Sequence, residues 1–81
     1  MMDDPIKAVV LRLLGEIAPE ADLAHINSGK RFRDQFEFDS VDFLNFAVGL
    51  QEELKIRIPE DDFPRLATLD GCVEYLKSKT R

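Results

Sequence analysis

The stretch Asp39-Ser40-Val41-Asp42-Phe43-Leu44-Asn45-Phe46-Ala47-Val48-Gly49-Leu50-Gln51-Glu52-Glu53-Leu54 decides the fold. Two mainly apolar rows run through it at helical spacing. Val41, Leu44, Ala47, Val48 and Gln51 make one, and Phe43, Phe46, Leu50 and Leu54 make the other. Residues three and four apart share a helix face, so the stretch predicts a helix from about Asp39-Ser40 to Lys55. Its apolar surface is wide for a surface helix. Such a helix either sits centrally or shows part of that surface to something else. Gly49, inside it, weakens it by about 1 kcal/mol relative to Ala.

Toward the C-terminus, Ile56-Arg57-Ile58-Pro59 reads as a short extended stretch, because a residue before proline avoids the helical region. Glu60 to Leu66 predicts one short helical turn, limited by Pro64. Thr68 is placed to cap a last helix over about 69–79, with Leu69, Cys72, Val73 and Leu76 on one face. Asp70 in its first turn, and Lys77 and Lys79 near its end, suit the helix dipole. Toward the N-terminus, residues 18–38 form a long connection with a turn at Asn27-Ser28-Gly29. A loop this long is usually functional or anchored. Ala21, Leu23, Ile26, Phe32, Phe36 and Phe38 are its expected anchors, while Arg31 and Arg33 read as solvated. Before it, Ile6, Val9, Val10, Leu13, Leu14 and Ile17 follow the i, i+3, i+4, i+7 rule. They predict a helix over about 5–17, capped by Asp4, opened by Pro5 and ended by Pro19. Nothing alternates with a period of two. The expected architecture is all-α: a small bundle of three main helices with a short fourth element, third in order.

The 81 residues are room for one domain, spanning 1–81. A chain this small buries roughly 60% of its unfolded surface, which leaves a thin core and little depth for a preformed active site. Net charge is −5, concentrated in residues 34–62, where nine acids face only Lys55 and Arg57 for a net −7. That field repels phosphate backbones and attracts basic protein surfaces, which disfavours nucleic-acid binding. Cys72 is the one cysteine, so no internal disulfide forms. No apolar run approaches the ~20 residues needed to cross a bilayer. The start, Met1-Met2-Asp3-Asp4, is acidic where a secretory signal begins basic, and the chain reads as cytoplasmic.

From Asp39-Ser40-Val41 onward the chain resembles the acyl carrier protein family. That family's pattern is Asp-Ser-Leu at the head of the second helix, an apolar and acidic helix, then an Ile-Pro step. Here Asp39-Ser40-Val41 is followed by Leu44, Ala47, Val48, Leu50, Glu52, Glu53 and Leu54, then Ile58-Pro59. Ala67-Thr68-Leu69 and Val73-Glu74-Tyr75-Leu76 resemble the family's last helix. The resemblance covers essentially the whole chain, the first helix by pattern only.

The resemblance implies that Ser40, flanked by Asp39 and Val41, carries 4'-phosphopantetheine. A phosphopantetheinyl transferase moves the group from coenzyme A onto the serine hydroxyl, and its thiol holds acyl groups as thioesters. The resemblance also implies that Asp39 contacts that transferase. A serine at a helix start is exposed and lies near unpaired N–H groups that tolerate a phosphodiester. Asp39 and Ser40 also read as ordinary N-cap residues, and the two readings are compatible. The resemblance further implies a docking face on the second helix for the basic patches of acyl-loading and acyl-processing enzymes, from Asp42, Phe43, Asn45, Glu52 and Glu53. Asn45 stands where many relatives carry an acid, Val41 replaces leucine, and Phe43 reads as an exposed aromatic beside the serine. The docking surface is therefore expected to be more apolar and less acidic than that of a typical fatty-acid carrier. Phe46, Ala47, Val48, Leu50, Cys72, Val73 and Leu76 are expected between helices two and four, as simple core and as lining for an acyl chain.

No catalytic set is visible, because Ser40 has no histidine in a motif, so an enzyme is not expected. His25 has no partners at metal spacing, and Glu60-Asp61-Asp62 lacks the spacing of a calcium loop, so no metal site is expected. Cys72 reads as a small buried apolar residue. The reading is a monomeric acyl carrier serving fatty-acid, polyketide or related lipid enzymes, with no membrane insertion. A peptidyl or aminoacyl carrier, or a non-covalent helical adaptor without the prosthetic group, are the alternatives.

Overall fold

The structure is a computed structural model and describes residues 5–80. It holds α1 (Pro5–Ile17), α2 (Ser40–Leu54) and α3 (Leu69–Thr80), with 3₁₀ segments at Leu23–His25, Phe32–Asp34 and Glu60–Leu66. The all-helical expectation stands. Among the described residues there is no strand, only one isolated antiparallel bridge between Arg31 and Thr68. Asp4, expected to cap α1, lies outside the described residues.

α1 packs on both α2 and α3, and the Glu60–Leu66 segment packs on α3. The core lies between them. Val10 and Leu14 from α1, Phe46, Ala47 and Leu50 from α2, Leu66, and Cys72 and Leu76 from α3 are wholly buried. Among the described residues no charged residue is buried with them, and the polar tip of Tyr75 is the phenol at the core's edge. Of the two rows on α2, the one through Phe46 and Leu50 faces inward. Ala47 joins it because a short side chain at the row's edge fits under the neighbouring helices.

α2 ends without a glycine. Lys55 takes the left-handed conformation (φ 55°), and Gln51 O accepts the N–H groups of both Lys55 and Ile56. This closes the last turn in the manner of a Schellman cap, with Ile56 turned against the core. Gln51 also accepts the Ile58 N–H through its side chain at 3.2 Å, which holds the extended step before Pro59 against the helix.

The long connection is anchored as expected, with Phe32 and Phe38 buried and Leu23, Ile26 and Phe36 packed on the core. Its backbone is tied to the start of α3 as well. Phe32 N–H donates to Ala67 O at 2.9 Å, and Asp70 N–H donates to Ser28 O at 2.9 Å. Within the loop, Gln35 fastens the 27–30 turn: it accepts the Asn27 N–H and donates to the carbonyls of Asn27 and Lys30. Thr68 caps α3 through its hydroxyl, which accepts the Gly71 N–H at 3.0 Å.

Candidate functional site

Asp39 is the N-cap of α2, in extended geometry. Its carboxylate accepts the Asp42 N–H at 2.8 Å, and the Asp42 carboxylate accepts the Asp39 N–H at 3.4 Å. This reciprocal capping box satisfies two groups that a helix start otherwise leaves open. The next residue, Ser40, opens the helix, is exposed, and its hydroxyl has no hydrogen-bond partner among the described residues. The first backbone N–H groups of the helix beside it, those of Ser40 and Val41, are left unused by the cap. The helix thus sets the backbone position of Ser40 and leaves its hydroxyl exposed, in a setting that tolerates negative charge.

Beside Ser40 lies a cavity of about 460 Å³. Its apolar wall is made by Phe32 and Phe38 from the loop, Phe43 from α2, and Phe63 from the segment before α3. The rings meet edge to face: Phe38 and Phe43 at 6.2 Å between centroids, Phe43 and Phe63 at 6.1 Å. Arg31 and Arg33 stand at the same cavity. Arg31 donates to Asp34 at 2.8 Å, whereas Arg33 has no ion pair among the described residues.

A family model described as "Phosphopantetheine attachment site" matches residues 4–76. The chain belongs to the acyl carrier protein family. It is 34% identical to an acyl carrier protein of Lactobacillus johnsonii over 65% of its length and 66% of the relative's. It is 30% identical to one of Lactobacillus acidophilus, over 73% of this chain and 74% of the relative. A third, from Renibacterium salmoninarum, is 31% identical over 76% and 72% of the two chains. Acyl carriers are not enzymes. Their cofactor, 4'-phosphopantetheine, supplies a thiol that holds acyl groups as thioesters. The open Ser40 hydroxyl and the basic edge of the adjoining cavity fit such a group. No helix of the described residues is long and apolar enough to cross a membrane.

The carrier's other expected site residues divide. Asn45 and Glu52 are exposed on α2, but Asp42 is engaged in the capping box and Glu53 is ion-paired with Arg12 of α1. Phe43 was expected to be exposed. It is instead half-buried between Phe38 and Phe63, because rings from two other segments converge on it. Val48 was expected between the helices. It is instead 42% exposed, in a stripe with Val41 (65%) and Leu44 (50%), because α2 turns its other row inward. Phe46, Ala47, Leu50, Cys72 and Leu76 are buried, and Val73 is partly buried against them. None of these six lines the cavity beside Ser40.

Sequence reasoning missed the cavity residues Arg33 and Phe63. A signal existed for both: Arg33 is the last base before the acidic segment, and Phe63 is a large apolar residue directly after the acids Glu60-Asp61-Asp62.

Cys72 is wholly buried, and burial pushes its thiol up to about 12. A thiol held protonated is a poor nucleophile. Cys72 therefore packs the core, whereas Ser40 is exposed. Among the described residues, no group of three His, Cys, Asp or Glu side chains is arranged to hold a metal.

Proposed function

We propose that Ser40 is the attachment residue. A phosphopantetheinyl transferase transfers 4'-phosphopantetheine from coenzyme A to its hydroxyl, and the loaded domain presents acyl thioesters to acyl-loading and acyl-processing enzymes. The observation that carries this is the exposed, unbonded Ser40 hydroxyl on the first residue of a capped α2, inside the family match. The capped helix places that hydroxyl at the surface, at the head of α2. It contributes placement and recognition rather than activation.

The docking surface is the exposed row of α2: Val41, Leu44 and Val48, with Asn45 and Glu52 alongside. Apolar contact supplies most of the association, and the field of the −7 segment steers basic partners toward it. With Asp42 and Glu53 already engaged, Glu52 is the principal free carboxylate of this face. The domain acts as a monomer in the cytoplasm. The aspartate before the serine favours an acyl over a peptidyl cargo.

The test is intact mass after incubation with coenzyme A and a broad-specificity transferase. Wild type gains one phosphopantetheine and Ser40→Ala gains none. A wild-type mass that stays unchanged supports the non-covalent adaptor instead.

A further inference from the structure

We propose that the phosphopantetheine arm folds back into the cavity beside its attachment point, its phosphodiester against Arg33 and its pantoyl segment over Phe43 and Phe63. This rests on Ser40 being the attachment residue. The first observation is position: Ser40 is itself among the residues that line that cavity, so an arm on its hydroxyl begins beside it. The second is size. At about 460 Å³ the cavity falls within the about 300–1,000 Å³ of sites that enclose small organic molecules. The third is chemistry. The arm is an anion followed by an apolar, branched segment, and the cavity offers a cation and then a wall of phenyl rings.

Charge picks out the arginine. The segment 34–62 carries a net −7, a poor setting for a further negative group. Arg31 and Arg33 are the two bases at the cavity, and Arg31 is already bound to Asp34 at 2.8 Å. Arg33 is the one whose guanidinium has no ion pair among the described residues. Asp39 also borders the cavity, but its carboxylate is turned into the cap by the Asp42 N–H. A bidentate guanidinium suits a phosphodiester better than a lysine would.

The tether makes weak contacts sufficient. A short flexible connection gives an effective concentration on the order of mM, so an intrinsic affinity of that order keeps the arm docked about half the time. The rings are held by the fold and need no ordering when the arm arrives. Phe43 is locked between Phe38 and Phe63, and Phe38 in turn packs on Phe32 and Phe46. A partner seated on α2 would draw the arm out.

The experiment uses isotope-labelled full-length protein loaded by a transferase. Intact mass first establishes loading and its dependence on Ser40; absence of loading removes the attachment reading and this one together. On the loaded protein, nuclear Overhauser cross-peaks are expected between the two pantoyl methyls and ring protons of Phe43 and Phe63. Arg33→Gln, a change at an exposed side chain, should weaken them severalfold after equal loading. Loaded protein without such cross-peaks, with shift changes confined to residues 39–42, overturns the docked arm. Cross-peaks of full strength in Arg33→Gln overturn the phosphodiester contact.

Discussion

Tyr75 is a buried phenol on α3 whose hydroxyl donates to Asp62 at 2.6 Å, tying the segment before the helix to the helix itself. Burial, and then the adjacent Asp62 carboxylate, push the phenol from 10.0 up to about 12. Burial alone does the same for Cys72, from 9.0 to about 12. Both groups hold their protons more tightly folded than unfolded. Their stabilisation is whole below about pH 9, erodes once the unfolded chain ionises, and is lost as pH rises through about 12. Stability should therefore fall across that window. Tyr75→Phe should be less stable than wild type at pH 8, for want of the Asp62 bond, yet lose less on going to pH 11. Urea unfolding at the two pH values checks this, and an equal loss in both proteins would contradict it. At this scale Ser40 and Asp39 were legible in sequence, because a cap and a helix start are local events. Phe43 was not, since the rings that half-bury it come from residues twenty positions on and five before.

At the scale of the element, α2 illustrates why two apolar rows are ambiguous. Periodicity tells that both rows exist, but the choice of inner row belongs to the neighbours. α1 decides it here: Leu13 lies over Gly49, and the closest approach to a Cβ built on that glycine is 3.4 Å. That is ordinary contact, so the glycine is not required for space. Its backbone entropy remains a cost. Gly49→Ala should stabilise the protein by about 0.5–1 kcal/mol, the usual difference in a helix interior. The midpoint of urea unfolding would rise at unchanged slope. A fall would mean that the α1–α2 contact cannot yield even a few tenths of an ångström. The C-terminal end of α2 shows the opposite kind of limit. A left-handed Lys55 has no sequence signal, because the residue types that favour this conformation are absent there.

At the scale of the whole molecule, Phe32, 1% exposed, joins the long loop to α2: its ring meets those of Phe36, Phe38 and Phe46 at 5.7–5.9 Å. Removing a buried ring costs about 3–5 kcal/mol, including the cavity left behind. A chain of this length has a total of about 4–12 kcal/mol, from about 0.05–0.15 kcal/mol per residue. Phe32→Ala should therefore leave the domain near the edge of folding, with Tm lowered by more than about 12 °C, taking about 4 °C per kcal/mol. Thermal melting by circular dichroism measures it, and a Tm within a few degrees of wild type would show that the loop is not held by this ring. The same cluster supports the wall of the cavity beside Ser40, so the site and the core share residues.

The amino-acid order alone determined the three main helices, a cap at Asp39 or Ser40 and the family, because each is written in neighbours three or four positions apart or in a motif. Tertiary structure alone decided which face of α2 meets solvent, which carboxylates remain free, and where a cavity opens. Those depend on distances between segments remote in the chain. Arg33, Phe43 and Phe63 come together around Ser40 only once the loop has been pinned to the start of α3, and no local pattern encodes that closure.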